Sequence, residues 1–520
     1  MSTKTDTPDT KSSFLHQERT SGVLAHITSL PSPFGIGDIG PDALAFIDYL
    51  AAAGQRYWQI LPTCPTSLVF DSSPYMSTSA RAGSPLLISP QSLYEQGLIQ
   101  KNQLPAAGGF SPYQVDYPRV DALKKQLLED TFAQLTSRRK DRLARFAEQS
   151  EQSDWLDNYA LFMALKEAHK QAPWFKWPKT LAHRQPAAIA AARERYRQRI
   201  DYYRFEQYLF FSQWETLRKR ATEKKIHLIG DIPIYIGLDS AGVWANRDIF
   251  ELDEKTLQPT RVSGVPPDYF STTGQRWGNP LYRWHSEDAS VRRRLLAWWQ
   301  SRLRTIFNLV DIVRIDHFRA FESYWAVPAE EETALNGTWE PGPGASFFDA
   351  MQEALGPLNI IAEDLGDITP AVIALRDQLG FPGMKVLQFA FDSNPHNSFL
   401  PYNFTSPNCV VYTGTHDNDT TLGWFLSNRL SDADRQSIKR FANRRMHDES
   451  PIHEDLLYLA LSSTAALAIT PLQDLLGFGS DCRMNTPGVP EGNWRWRCAP
   501  HFLTDELANH LREITHRFGR

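Results

Sequence analysis

Short apolar runs recur along the chain, and most of them are followed by a segment with helical periodicity. Such runs are typical of buried parallel strands, and their alternation with helices indicates βα units. The runs lie at 22–30, 57–62, 226–235, 309–318, 359–364, 384–391, 409–417 and 465–470. Eight strands with intervening helices are the number that closes a (β/α)8 TIM barrel, so the pattern predicts an α/β fold of this kind.

The first predicted helix shows how the ends of an element follow from the sequence. It begins at Pro41, directly after a glycine, and ends near Ala53, just before Gly54. Proline is favoured in the first turn of a helix and glycine just past its end. Apolar residues fall on one face of this segment, as expected for a helix that packs on a barrel.

The predicted strands are unevenly spaced, which indicates insertions into the barrel. More than 160 residues separate the second strand from the third, too many for one loop, and most of them have the pattern of charged amphipathic helices. We expect a mainly helical insertion at about 95–205. The stretch at about 236–300 is rich in Gly, Pro and aromatic residues and predicts a loop-rich insertion. Only about 50 residues follow the last strand, so no C-terminal β-sandwich domain is expected within the catalytic barrel of 18–520.

Composition and charge exclude several classes of protein. The chain has 520 residues and a formal net charge of only −5, and its basic residues are dispersed, which argues against a nucleic-acid partner. The tail 1–17 is polar and predicted to be disordered, and no apolar segment has the length of a membrane span. The four cysteines are Cys64, Cys409, Cys482 and Cys498. They are far apart and lack a zinc-binding pattern, so we expect no metal site and a reducing, cytoplasmic environment. We expect a monomer or a weak homo-oligomer.

Acidic residues stand at the ends of four predicted strands: Asp231, Asp316, Glu363 and Asp417. Because active sites of barrels lie at the C-terminal ends of the strands, we expect these residues to converge on one rim. Each residue alone is compatible with an ion pair or a helix cap. Four carboxylates on one rim repel one another, however, so their convergence indicates either a bound cation or a catalytic role. The string HDND at 416–419 lacks the alternating oxygen ligands of a calcium loop, which favours paired carboxyl groups without a metal.

Two carboxyl groups are the catalytic groups of most glycosidases. One attacks the anomeric carbon, and the other protonates the leaving oxygen. Arg314 lies two positions before Asp316, on the same face of the strand, and favours the ionised form that a nucleophile needs. Glu363 follows the apolar run NIIA, which favours the protonated form of an acid. A structural ion pair between Arg314 and Asp316 is the alternative interpretation.

Several longer stretches match one enzyme family: GDIPIY, VRIDHFRAFESYWAVPA, IIAEDLGDITP, VVYTGTHDNDTTLGW and RMNTPGVPEGNWRWR. Over roughly residues 20–500 the chain resembles the 4-α-glucanotransferases called amylomaltases or disproportionating enzymes, which form glycoside hydrolase family 77. The resemblance implies a TIM barrel, a retaining double displacement on an α-1,4-glucan donor with a glucose or maltooligosaccharide acceptor, and no metal or organic cofactor. A hydrolytic α-glucanase on the same scaffold and an inactive glucan-binding scaffold remain alternatives.

The resemblance also implies roles for individual residues. At matching positions Asp316 is the nucleophile, Glu363 is the general acid and base, and Asp417 is a third carboxylate that holds sugar hydroxyls. Further residues are implied to bind the substrate: Tyr75, Asp231, Trp277, Asn279, Arg314, His317, His416 and Asn485. For a retaining enzyme we expect the carboxyl groups of the nucleophile and the acid to lie roughly 5 to 5.5 Å apart.

Two segments near the expected site call for separate interpretations. The stretch PTCPTSLVFDSSPY at 62–75 is one residue longer than the family pattern and lacks the first tyrosine, which contributes to an accessory glucan site in some members. The resemblance therefore does not imply an accessory site here. The Gly/Pro-rich segment 264–280 is compatible either with a lid that orders over bound glucan or with a rigid structural loop.

Overall fold

The computed structural model describes residues 18–106, 108–267, 271–442 and 451–520, so the predicted tail 1–17 lies outside the described residues. Twelve strands occur in the described part of the chain. They are β1 (Thr20–Leu24), β2 (Tyr57–Gln59), β3 (His227–Pro233), β4 (Arg261–Val265), β5 (Gln275–Pro280), β6 (Ile312–Asp316), β7 (Ser323–Pro328), β8 (Thr338–Pro341), β9 (Ile360–Ala362), β10 (Gly383–Val386), β11 (Cys409–Tyr412) and β12 (Leu467–Pro471).

Eight of these strands form one parallel sheet in the order β10-β11-β12-β1-β2-β3-β6-β9. Each of them overlaps one of the eight apolar runs in the sequence, and their residues are almost all buried. The two outer strands are also neighbours, since the N–H of Ala362 donates to the carbonyl of Pro382 at 2.9 Å, just before β10 begins. The sheet therefore curves round on itself, and the predicted α/β TIM-barrel fold is confirmed.

The helices surround this sheet and fill the long connections. They are α1 (Pro41–Ala52), α2 (Pro90–Glu95), α3 (Tyr117–Ala133), α4 (Ser137–Glu148), α5 (Ser150–Ser153), α6 (Leu156–Ala168), α7 (Lys179–Ala182), α8 (Pro186–Arg195), α9 (Arg197–Lys224), α10 (Ala241–Ala245), α11 (Ala289–Leu309), α12 (Gly344–Leu355), α13 (Pro370–Leu379), α14 (Thr421–Leu426), α15 (Asp432–Phe441), α16 (Ile452–Ser462), α17 (Leu472–Leu475) and α18 (Asp505–Arg517). None of the helices in the described ranges combines the length and apolarity needed to cross a membrane.

The connection between β2 and β3 is helical, and its last helix ties it to the barrel. Helices α3 to α8 and the first residues of α9 occupy the range 95–205. Helix α9 runs on to Lys224 and packs against both α6 and α1. Its Trp214 is buried, and the indole N–H donates to the carbonyl of Leu309 at the end of α11 at 2.8 Å. The outer helices thereby rest on the helix that leads into β6.

A small antiparallel sheet in the order β5-β4-β7-β8 stands beside the barrel. Strands β4 and β5 come from the connection after β3, within the segment predicted to be rich in loops, and β7 and β8 come from the connection after β6. In this sheet Gly264 pairs with both Arg276 and Trp325. The sheet joins two connections that leave the barrel at adjacent strand ends, so it brings β5 next to the end of β6.

The chain ends with helices. All of 451–520 is described, and no β-strand follows β12 in this range. This agrees with the prediction that the residues after the last strand do not form a β-sandwich domain. Helix α18 packs against α1. The first helix ends one residue before the predicted position, at Ala52, and Gly54 follows with a φ of 72°, a backbone conformation that glycine adopts without a steric penalty.

Candidate active site

The four acidic residues singled out in the sequence lie at C-terminal strand ends. Asp231 is within β3, Asp316 is the last residue of β6, Glu363 directly follows β9, and Asp417 lies in the loop after β11. Strand β6 pairs in parallel with β3 on one side and with β9 on the other, so three of these ends are adjacent. The order of the strands, which the sequence does not contain, is what brings these carboxyl groups together.

Arg314 is shared between two carboxylates. Its Nη1 donates to Asp231 Oδ2 at 2.6 Å and lies 3.0 Å from Asp316 Oδ1. The side chains of Arg314 and Asp231 are 4% and 0% exposed, whereas that of Asp316 is 31% exposed. Burial raises the pKa of Asp231, and the positive charge of Arg314 opposes this shift. The guanidinium therefore places a positive charge beside Asp316 and leaves that side chain accessible.

Glu363 has a different environment, because it is buried and held by main-chain groups. Its Oε2 accepts from the N–H of His317 at 2.7 Å, and its Oε1 accepts from the N–H of Leu365 at 2.9 Å. Burial raises the pKa of Glu363 to about 8, the negative charge of Asp316 acts in the same direction, and Arg314 and the two N–H groups act against it. The carboxyl group therefore carries a proton at neutral pH.

Asp417 belongs to a second hydrogen-bonded group across the strand ends. Its Oδ1 accepts from Asn485 Nδ2 at 2.6 Å, and its Oδ2 lies 3.3 Å from His416 Nε2. Burial lowers the pKa of His416, so the ring is neutral. The Tyr75 hydroxyl donates to Asp231 at 2.8 Å and lies 2.9 Å from His416 Nε2, so that nitrogen carries the ring proton. Tyr75 thus connects the two groups of polar side chains.

Arg483 and Trp494 belong to this site and were not identified from the sequence. Arg483 donates to the carbonyls of Asp417 and Asn485, both at 2.6 Å. The ring of Trp494 lies 5.8 Å from that of Tyr75. Both residues lie in the stretch RMNTPGVPEGNWRWR, from which the resemblance implied only Asn485. The presence of an arginine and a tryptophan in the same stretch was the signal that could have identified them.

The small sheet contributes a third part of the site. Trp277 and Asn279 are both on β5, and the ring of Trp277 contacts that of His317 edge to face at 4.8 Å. Asn279 is buried, and its Oδ1 accepts from Ser263 at 3.2 Å. His317 follows β6 with a φ of 55°, and burial, with help from the positive charge of Arg319, lowers the pKa of its ring to about 3. Its ring is therefore neutral over the working pH range.

The HDND string is organised as a turn. The Oδ1 of Asn418 accepts from both the N–H and the hydroxyl of Thr415 at 2.9 Å, and Asp419 Oδ2 accepts from Ser480 at 2.8 Å. These oxygens are engaged in holding the loop, which argues against the calcium interpretation. No group of three or more His, Cys, Asp or Glu side chains in the described ranges is arranged to hold a metal ion.

Comparison with known proteins agrees with this geometry. The sequence model of glycoside hydrolase family 77, described as 4-alpha-glucanotransferase, matches residues 25–504. A 4-alpha-glucanotransferase from Synechocystis is 51% identical over 97% of this chain and 98% of its own length. A protein of the same name from Thermus thermophilus is 45% identical over 95% of this chain and 98% of its own length.

The structural comparison gives the same result. An amylomaltase from Streptococcus agalactiae, solved in complex with acarbose, superposes with a TM-score of 0.90 and 37% sequence identity. The match covers 97% of this chain and 100% of that one. Sequence and structure agree over nearly the whole length, and the resemblance inferred from the motifs is confirmed. The chain belongs to the 4-α-glucanotransferases of glycoside hydrolase family 77.

Proposed function

We propose that this chain moves a segment of an α-1,4-glucan, such as a maltooligosaccharide or a fragment of starch or glycogen, to the 4-hydroxyl of an acceptor glucose or glucan. The observation that carries the proposal is the contrast at two adjacent strand ends. There, Asp316 stands beside the Arg314 guanidinium, whereas Glu363 is buried and protonated. This is the pairing of a nucleophile with an acid that a retaining double displacement requires.

In the first step Asp316 attacks the anomeric carbon of the donor, and the bond from that carbon to the bridging oxygen breaks. Glu363 gives its proton to this oxygen, and the shortened glucan leaves with a free 4-hydroxyl. The enzyme then holds a β-linked glucosyl ester on Asp316. As Glu363 becomes charged, the N–H groups of His317 and Leu365 stabilise the carboxylate that forms.

In the second step the Glu363 carboxylate acts as a base. It takes the proton from the 4-hydroxyl of the acceptor, whose oxygen attacks the anomeric carbon and displaces Asp316. Two inversions at one carbon retain the α configuration. The proton returns to Glu363 and the negative charge returns to Asp316 beside Arg314, so the enzyme ends each cycle in the state in which it started.

The remaining polar groups serve to orient the sugar under attack. We assign Asp417 to hydroxyl groups of that sugar, because Asn485 binds one of its oxygens and fixes the carboxylate. Tyr75, Asp231, Arg314 and His416 form one connected network beside it. Trp277 and His317, together with the nearby Asn279, are assigned to neighbouring sugars, because the small sheet holds them next to the end of β6.

Incubation with pure maltotriose tests the proposal. We expect both longer maltooligosaccharides and shorter products including glucose, separable by chromatography, because each cleavage supplies a segment for another acceptor. Glucose and maltose without longer chains would identify the hydrolytic α-glucanase instead. No turnover by folded protein would support the glucan-binding scaffold.

We further propose a cytoplasmic enzyme that acts as a monomer or a weak homo-oligomer, with 18–520 as one catalytic unit. All four cysteines are free, which fits a reducing compartment. Gel filtration at two protein concentrations tests the oligomeric state. We expect an elution volume that corresponds to one chain, or one that moves from a single chain toward a small oligomer as the concentration rises.

A further inference from the structure

A second cavity lies next to the candidate active site, between the barrel and helix α11. It has a volume of about 560 Å³, is partly open to solvent, and is lined in part by Tyr75 and Asp231. Its other lining residues come from the segment after β2 and from α11, and they include Cys64, Arg81, Arg302 and Thr305. Two arginines therefore line one cavity, and the proposed reaction gives neither of them a role.

Arg302 is a buried cation without an acidic partner. Its side chain is among the largest fully buried ones, it donates to the main-chain carbonyls of Pro233 and Ile234 at the end of β3, and it contacts the Tyr282 hydroxyl. No carboxylate of the described residues is among the groups that influence its charge. Main-chain carbonyls satisfy hydrogen bonds but do not balance a positive charge, and an uncompensated buried charge is costly.

Arg81 adds a second positive charge to the same place. Its side chain is 9% exposed, and its nearest carboxylate, Asp154, is 3.8 Å away and 44% exposed. Both guanidinium groups lie over the ring of Trp298, at 5.3 Å for Arg81 and 5.6 Å for Arg302. Both cations thus lie near one ring, and within the described residues only Arg81 has a nearby carboxylate, the exposed Asp154.

Hydrogen-bond donors without acceptors are concentrated in this region. The Nε of Arg81, the Nε of Arg302 and the indole nitrogens of Trp298 and Trp299 are all buried and donate to no protein group among the described residues. Buried polar groups in folded proteins are generally paired, and two of these donors belong to the arginines that line the cavity. Every one of them is an N–H group, and what they lack is an acceptor.

We propose that this cavity binds a small inorganic anion, a halide or phosphate, between Arg81 and Arg302. An anion supplies both missing features at once, because it accepts hydrogen bonds and carries negative charge. A water molecule would satisfy part of the hydrogen bonding and none of the charge. Tyr75 and Asp231 line this cavity and also belong to the candidate active site, so the two sites adjoin, but the anion takes no part in the proposed reaction.

Crystals of the full chain soaked in sodium bromide test the position of the site. We expect an anomalous bromide peak inside the cavity, within hydrogen-bond distance of Arg302 or Arg81. A parallel soak in sodium phosphate distinguishes the two sources of the anion, since phosphate density in the cavity would assign the site to the larger ion. Water in the cavity in both crystals, with ions bound only at the surface, would overturn the proposal.

Thermal unfolding in solution provides a second measurement. At constant ionic strength, replacing sodium glutamate by bromide or phosphate is expected to raise the Tm of the native chain, because a ligand that binds only the folded state stabilises it. Arg302→Gln should lower the anion affinity by at least about tenfold, as loss of a charge-assisted contact predicts. Arg304→Gln removes an exposed charge from the same helix and is the matched control, which should keep the full response.

If Arg302→Gln does not fold, Arg81→Gln takes its place in the same titration. A Tm that responds equally to all three salts in the native chain would contradict the proposal. The same holds if Arg302→Gln and Arg304→Gln respond alike, because the effect would then come from the general charge of the helix and not from a site.

Discussion

Asp316 and Glu363 follow neighbouring strands of one sheet, yet their surroundings differ in almost every respect. Asp316 is partly exposed and has a guanidinium 3.0 Å away. Glu363 is buried, forms no ion pair with any cation of the described residues, and is held by two main-chain N–H groups. The same functional group therefore stands beside a positive charge at one strand end and is buried and protonated at the next.

The main chain fixes these two environments relative to one another. The N–H of Glu363 donates to the carbonyl of Ile315 at 3.1 Å, and the N–H of Phe318 donates to the carbonyl of Glu363 at 3.0 Å. The segments that carry the proposed nucleophile and the proposed acid are thus hydrogen-bonded to each other on both sides of Asp316. The main chain at these two positions therefore has little freedom to separate, and the spacing of roughly 5 to 5.5 Å between the carboxyl groups stays a prediction.

Replacing the charged member should have the largest effect. Asp316→Asn removes the attacking oxygen charge while it keeps the shape of the side chain, so the kcat for maltotriose should fall by roughly 10⁴-fold or more. Asp432→Asn is the matched control, because Asp432 is 90% exposed and lies on the outer helix α15. Turnover by Asp316→Asn within tenfold of the native rate would show that another group is the nucleophile.

Replacing the protonated member should have a smaller and more selective effect. Glu363→Gln keeps a group that can bind the two N–H donors through its oxygen but cannot give up a proton, so kcat for maltotriose should fall by about 10²- to 10⁴-fold. The fluoride of a maltosyl fluoride donor leaves without protonation. With this donor the rate of the first step should therefore fall far less. An equal loss with both donors, measured as release of the leaving group, would contradict the role of acid.

The pH dependence should report the same proton. Glu363 must be protonated to act as acid, and its pKa of about 8 lies above that of an ordinary carboxyl group. The acid form is therefore complete below this pH and is lost above it, so kcat/KM should fall about tenfold for each pH unit beyond about 8. Glu363→Gln should lack this alkaline limb. A limb that persists unchanged in the variant would assign it to another residue.

The strands of the barrel could be predicted because each is a short apolar run whose burial depends little on its partners. The small sheet could not, since its strands are rich in Gly, Pro and polar residues and become strands only by pairing. Gly264 illustrates the difficulty, because its partner Trp325 is some 60 residues further along the chain. Local propensity contains no information about such pairing.

The site shows the same division between local and long-range information. The pairing of Arg314 with Asp316 is visible in the sequence, because alternation along a strand puts both on one face. That Arg314 also binds Asp231 depends on the register of β3 against β6, which only the fold supplies. The interpretation as a simple ion pair was thus incomplete, and the arginine is better described as a bridge between two strand ends.

The contact between Trp277 and His317 leads to the smallest of the expected effects. The Trp277 ring covers the residue whose N–H binds Glu363, so Trp277→Ala should admit water to both carboxyl groups and remove a surface for the acceptor sugar. We expect the ratio of free glucose release to oligosaccharide redistribution to rise several-fold, with total cleavage less affected.

A second tryptophan of the small sheet separates this effect from a general loss of structure. Trp339 on β8 packs against Trp325 and is 40% exposed, so Trp339→Ala disturbs the same sheet without uncovering His317. Its ratio of hydrolysis to transfer should stay at the native value. If both variants shift the ratio equally, the sheet acts as a whole in excluding water. If neither does, the acid and the nucleophile need no cover from β5, and acceptor binding alone must favour transfer over hydrolysis.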